Sequence, residues 1–286
     1  MLVATLVVAL FMLSACDVVS SVQPVAESVI EDAVESVVEP TAALEAAEPA
    51  AEHDAAPHFT YEGEAGPEHW ATRSPDWSAC DDSHQSPIDL TKAGEQDLAN
   101  LVFQYQPSHI NIKNNGHTIE VGYDPGSTIE LDGHRYKLLQ FHFHAPSEHT
   151  INGQLAAAEL HLVHEIDDGS LPAGSKAVVG VLIQKGADNP AFTPVWDNLY
   201  VANATAQTVD GEVNAAAMLP AVQTTYRYAG SLTTPPCTEN VAWNVMTESI
   251  NMSQGQIDAF RGVIAGANNR PLQPINDRDL AVDSTP

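Results

Sequence analysis

From His58 onward, apolar and polar positions alternate in short runs broken by turn residues. Ile110-Asn111-Ile112-Lys113 alternates, Asn114-Asn115-Gly116 turns, and His117 to Val121 alternates again, which predicts two strands and a tight connection. Asp124-Pro125-Gly126 and Asp132-Gly133 are further turn signals. Arg135 to His144 and Ala157 to Glu165 read as strands. Ala177 to Gln184 is a continuous apolar run, suited to a strand covered on both faces. Helical spacing is sparse. Ser253-x-x-Gln256 forms a capping box ahead of Ile257, Phe260 and Ile264, predicting a helix over about 254–265. Val195 to Val201 is a second candidate. The pattern describes one largely β domain over 58–286 with a few surface helices and no internal repeat.

The pattern before residue 58 is different. Residues 1–15 carry no charge, and Leu2 to Leu13 is almost wholly apolar. That run is too short to span a bilayer, which takes about 20 residues, and suits a signal-peptide core. Leu13-Ser14-Ala15-Cys16 resembles a bacterial lipobox, in which Cys16 is lipidated and becomes the new N-terminus; no positive charge precedes the run, a departure from the usual signal. Residues 16–57 read as an acidic Ala/Glu/Val/Pro tether, because a stretch without aromatics buries too little to offset its ordering entropy. Val22, Val25, Val29, Val34 and Val37 recur near helical spacing, but two heptads rich in β-branched Val are marginal alone.

The charge sharpens this division. Asp and Glu number 38 in 286 residues against 11 Lys and Arg, a formal charge of −27. Such an acidic chain is a poor partner for nucleic acid or for anionic lipid headgroups. Ten of the acids lie in the tether, which has no basic residue, leaving −17 for the rest. Three cysteines are too few for a disulfide-built scaffold.

The candidate chemistry lies in the histidines, of which there are 12. On a strand, the spacing in Gln140-Phe141-His142-Phe143-His144 puts both imidazoles on one face and both phenyl rings on the other. Glu159-Leu160-His161-Leu162 repeats the device. Two adjacent strands can thus aim three imidazoles at one point, and three His with one position open is the pattern of catalytic zinc. The helical protease arrangement does not fit: His144 and His149 are one residue too far apart, and Pro146 lies between them. Nucleophile-elbow, phosphate-loop and dinucleotide-binding motifs are absent from the sequence.

With these residues in view, the chain resembles an alpha-class carbonic anhydrase of the bacterial type over nearly all of 58–286. The segments that carry the resemblance include Gly66-Pro67-Glu68-His69-Trp70, Gln85-Ser86-Pro87-Ile88-Asp89, Asn114-Asn115-Gly116-His117, Gln140 to His144, Ser147-Glu148-His149, Glu159 to His164, Gly230 to Pro236 and Asn269-Arg270-Pro271-Leu272. The resemblance implies a mainly β (α+β) fold with a large central twisted, mostly antiparallel β-sheet and a few surface helices. It implies a zinc lyase that hydrates CO2 reversibly to bicarbonate and a proton by attack of zinc-bound hydroxide.

Residue by residue, His142, His144 and His161 match the zinc ligands, with Gln140 and Glu159 as their hydrogen-bond partners. Thr233 matches the hydroxyl that orients the nucleophile, Glu148 its carboxylate partner, and His117 the proton shuttle. Tyr61 and Asn115 match the solvent network; Val163, Val178, Leu232, Thr234 and Trp243 match the CO2 pocket. Cys80 and Cys237 match a disulfide common in secreted members, in keeping with a periplasmic or cell-surface enzyme held to a bacterial membrane only through its N-terminal lipid. CO2 and bicarbonate are the expected partners, nucleic acid is not, and a homodimer is left open. Two departures stand out: Phe59 replaces a frequent Trp, and Glu120 replaces a neutral amide. A carboxylate at 120 predicts a raised His117 pKa and slower proton export at low pH. The rival classes are a non-catalytic binding module on the same fold and a zinc-storage or surface protein.

Overall fold

The computed structural model describes residues 57–283 and 285, apart from 201 and 265; the signal, lipid and tether expectations lie outside them. Thirteen strands form one sheet. At its centre lies Lys176–Lys185, whose residues 177–183 are all buried. It pairs antiparallel with Ala158–Ile166 and parallel with Glu239–Met246. From Ala158–Ile166 the sheet continues antiparallel through His134–His144, Ile119–Gly122, Ser108–Asn114 and Gln207–Val213. In the other direction, Glu239–Met246 leads antiparallel to Thr225–Ser231 and then Ala281–Asp283. The sheet is mostly antiparallel, as expected; the parallel pairings of Lys176–Lys185 were not legible locally.

Strand alternation divides the core. Phe141, Phe143, Leu160, Leu162, Val179 and Val181 pack on one face, where Ile257 and Phe260 of the helix Gln254–Ile264 also pack. Val163, Val178, Leu182, Trp243 and Val245 pack on the other with Ile88 and Leu90. Each such side chain contributes about 1.5–3 kcal/mol on burial. The helix starts as expected: Gln256 N–H donates to Ser253 Oγ and Ser253 N–H to Gln256 Oε1, each at 3.2 Å. The Asp132-Gly133 turn has positive φ at both residues, 52° and 81°, joining the strands Thr128–Leu131 and His134–His144. The other helix expectation is corrected. In that stretch Thr193–Trp196 is α-helical and 197–200 form turns, with Phe192, Val195 and Leu199 buried in the core.

A third apolar cluster fastens the N-terminal segment. Trp70, Cys80 and Cys237 pack with Phe59, Tyr61 and Trp77, and Cys80 and Cys237 form a disulfide 157 residues apart in sequence. Loop closure of that size contributes up to about 5 kcal/mol. Arg270, buried above Trp70 at 5.4 Å, donates to the carbonyls of Ser86 at 2.9 Å and Cys80 at 2.9 Å.

Gly230 marks the tightest packing. A Cβ there would overlap Ser86 Oγ and stand 2.6 Å from the Tyr228 ring and 2.9 Å from Trp243. Gly230→Ala is therefore expected to cost about 1–3 kcal/mol by overpacking. Equilibrium denaturation checks it, and an unchanged midpoint would mean that these rings move aside freely.

Candidate active site

Register builds the site. His142 lies opposite His161 and His144 opposite Glu159 across the His134–His144 and Ala158–Ile166 pair, after an irregularity between Leu138 and Gln140. Gln140, His142 and His144 thus share a face with Glu159, His161 and Val163, while the intervening Phe and Leu side chains enter the opposite core. One ring nitrogen from each of His142, His144 and His161 lies within 4.8 Å of the others.

Their neighbours decide which nitrogen faces inward. The Asn268 carbonyl can only accept, so His144 Nδ1 donates to it at 2.7 Å. Glu159 Oε1 accepts from His161 Nε2 at 2.9 Å, and Gln140 Oε1 from His142 Nδ1 at 2.9 Å. The free lone pairs are therefore His142 Nε2, His144 Nε2 and His161 Nδ1. His144 Nε2 is buried without a hydrogen-bond partner among the described residues. Burial keeps all three rings neutral: the pKa of His142 falls well below the ordinary value, that of His144 to about 4, and that of His161 is lowered too.

His149, Glu159 and His161 also converge. Here the polar atoms are already spent on one another. Glu159 accepts from the backbone N–H groups of Glu148 and His149 at 2.9 Å each and from His149 Nδ1 at 2.7 Å. Burial would raise its pKa, but His149 and His161 hold it well below the usual carboxylate range. His149 Nε2 then accepts from Tyr228 Oη at 2.6 Å, and Tyr228 Oη from Ser86 Oγ at 2.9 Å. Gly180 makes room: a Cβ there would sit 3.1 Å from Glu159 Oε1.

Glu148 is buried beside the histidines, with Oε1 accepting from Arg270 N–H at 2.8 Å. Burial pushes its pKa up to about 7, against the pull of His161, the Arg270 amide and the Thr233 side chain. Two cavities meet at Gln140, His142 and Thr234. One, of about 260 Å³, is walled by Val163, Val178, Leu232 and Trp243, with Thr233 also lining it. The other, of about 210 Å³, is lined by Tyr61, Asn115, His117 and Glu120 as well as His142 and His144.

His117 follows a turn held by Asn115 Oδ1, which accepts from the N–H groups of His117 and Thr118 at 2.9 Å each. Its ring stacks on Phe59 with centroids 3.7 Å apart. The expected effect of Glu120 is corrected. Glu120 pairs with Lys113 Nζ at 2.8 Å, and burial, followed by the charge of His58, lowers the His117 pKa. The expectation failed because burial of the His117 ring outweighs the carboxylate at 120, which is paired with Lys113 across the Ser108–Asn114 and Ile119–Gly122 strands.

Sequence reasoning assigned no role to Asn268, His149, Tyr228 or Ser86. Asn268 acts on His144 through its backbone carbonyl, which any residue type could offer, and so it leaves no compositional signal. His149, Tyr228 and Ser86 form a chain only after distant segments fold together.

Residues 65–284 match the model of the eukaryotic-type carbonic anhydrase family. A carbonic anhydrase of Nostoc sp. is 43% identical over 228 residues, covering 77% of this chain and 84% of that protein. One from Pectobacterium carotovorum is 40% identical over 222 residues, covering 77% and 89%. The solved alpha-carbonic anhydrase of Thermovibrio ammonificans, in complex with the inhibitor sulfanilamide, superposes with a TM-score of 0.75 at 39% identity, covering 79% of this chain and all of that one.

The lowered pKa values make the metal-free fold acid-sensitive. His142, His144, His161 and also buried His164, whose pKa is about 3, bind fewer protons folded than unfolded below pH 6.5. Each removes stability as pH falls from 6.5 toward its folded pKa. Glu148, with its raised pKa, binds more protons when folded and offsets about one of them. The urea midpoint of metal-free protein should thus drop steadily from pH 6.5 to 4.5; a flat profile would contradict neutral buried rings.

Proposed function

The chain belongs to the eukaryotic-type, or alpha, carbonic anhydrase family, and on that premise we propose that it hydrates CO2 reversibly at a zinc ion held by His142, His144 and His161. The observation that carries this reading is the convergence of three neutral imidazoles, one with a buried Nε2 that has no other partner. Among the described residues both cysteines are consumed in a disulfide, so the donor set is three nitrogens with a position left open. That set suits catalytic rather than closed structural zinc. Bound zinc supplies Lewis acidity that makes water nucleophilic near neutral pH, chemistry for which this family is the usual illustration.

The chain's own residues do the rest. Gln140, Glu159 and the Asn268 carbonyl fix the tautomer and tilt of each imidazole. Thr233 donates its hydroxyl proton toward Glu148, which leaves its oxygen lone pairs to accept from the reacting water and aim it at CO2. A nearby dication favours the ionised Glu148 that this role needs. Val163, Val178, Leu232 and Trp243 receive CO2, a nonpolar substrate that asks for little polar recognition. His117, whose pKa is lowered by burial and then by the charge of His58, accepts the product proton on the side of the other cavity.

The same reading extends to the leader. Export agrees with a disulfide-bonded domain and with bacterial relatives, whereas lipid attachment at Cys16 and a tether over 16–57 rest on the sequence pattern. Mass spectrometry of the mature N-terminus should find a diacylglyceryl-modified Cys16; a free N-terminus elsewhere would refute the anchor.

Purified protein should contain one zinc per chain, lose CO2 hydration to a chelator and regain it with added zinc. His142→Ala should lose zinc and activity together. Glu159→Gln should weaken zinc binding by about 10–100-fold. A fully active His142→Ala enzyme would refute the ligand assignment, and full zinc occupancy without hydration would favour a non-catalytic or storage role.

A further inference from the structure

A cavity of about 640 Å³ shares no lining residue with the two beside the histidines, and the hydration reading makes no use of it. Its volume is in the range that takes a small organic molecule. Three segments build it: residues 89–92, the turn at Asn152, and residues 273–280. Hydrogen bonds tie these segments to one another and to the body of the fold. Leu90 N–H donates to the Thr150 carbonyl at 2.9 Å, Gln273 N–H to that of Pro87 at 2.7 Å, and Asn152 N–H to Thr91 Oγ1 at 2.5 Å. The fold itself thus forms the cavity, and a ligand meets walls already ordered.

The charges around it select the class of ligand. Asp89 is already occupied: its carboxylate accepts from Thr91 N–H at 3.1 Å, from Gly153 N–H at 3.2 Å and from the Thr91 hydroxyl. Arg278 is held in place. It donates to the carbonyls of Pro274 at 2.7 Å, Ile275 at 3.0 Å and Ala229 at 3.2 Å, and its guanidinium lies 5.6 Å over the Tyr228 ring. A guanidinium has five N–H groups, so one remains on each terminal nitrogen. Lys92 and Asp279 are exposed, and among the described residues neither side chain has an ion-pair or hydrogen-bond partner. The cavity therefore offers two cations and one carboxylate to a ligand, beside the apolar surfaces of Pro274, Ile275 and Leu280. A simple anion would be repelled by Asp279 and a simple cation by Lys92 and Arg278, whereas a molecule carrying both signs is attracted by all three. We infer that this cavity is a second ligand site, taking a short zwitterionic peptide with apolar side chains. Its carboxylate faces Lys92 and Arg278, its ammonium faces Asp279, and its side chains rest on Ile275 and Leu280.

The test titrates the dipeptide leucyl-leucine into zinc-loaded protein and follows backbone amide NMR shifts. Saturable shifts should cluster at residues 89–92, 152–153 and 273–280. Acetylating the peptide's amine or amidating its carboxylate should each weaken binding about two- to fivefold, the size of an exposed ion pair. Lys92→Ala and Asp279→Asn should do the same, and because both side chains are exposed and unpartnered the fold survives either change. Removing zinc with a chelator should leave the affinity unchanged, so the result stands apart from the hydration reading. The site would be overturned by the absence of saturable shifts at these residues, by shifts centred instead on His142 and His161, or by equal binding of a peptide blocked at both ends.

Discussion

Glu159 is a fully buried carboxylate surrounded by four N–H donors: two from the backbone of residues 148 and 149, one from His149 and one from His161. A lone carboxylate in such a place would be prohibitively costly, whereas one that accepts this many hydrogen bonds stays ionised. Each donor belongs to a part of the site that must be positioned. The His161 bond turns its imidazole so that Nδ1 faces inward. The backbone bonds hold the turn that carries Glu148. The His149 bond continues through Tyr228 to Ser86 and so reaches the opposite edge of the core. Gly180 and Gly230 leave the space this network occupies.

The sheet supplies the precision. Because side chains alternate along a strand, the residues that aim His142, His144 and His161 into the cavity also send Phe141, Phe143, Leu160 and Leu162 into the core. Slipping either strand by one residue would send the imidazoles into the apolar core and the phenyl and leucine side chains out of it, so the hydrophobic effect enforces the register that brings the three histidines together. Positions of chemistry and positions of packing are the same decision.

The interior is less charged than the surface. The chain is strongly acidic, yet the buried histidines are neutral and one wall of the adjoining cavity is apolar. His117 and His58 lie on another wall, near the surface segment that the disulfide and Arg270 hold in place. Surface acidity thus bears on solubility rather than on the reaction.

Much of this was legible in local pattern. The H-x-H and E-x-H strands, the Asp132-Gly133 hairpin, the Ser253/Gln256 capping box and the switch in composition near residue 58 follow from periodicities of a few residues, which backbone geometry imposes directly. What escaped them depends on contacts between segments far apart. The Asn268 carbonyl lies 124 residues from His144 in sequence, Tyr228 lies 79 from His149, and Ser86 lies 142 from Tyr228. Lys113 pairs with Glu120 only because two strands meet in one register, and burial, followed by the charge of His58, reversed the expectation for His117. Residue types and their local spacing determined which side chains could do chemistry. Tertiary packing decided their tautomers, their charges and the routes between them, because burial and hydrogen-bond partners exist only once distant segments meet.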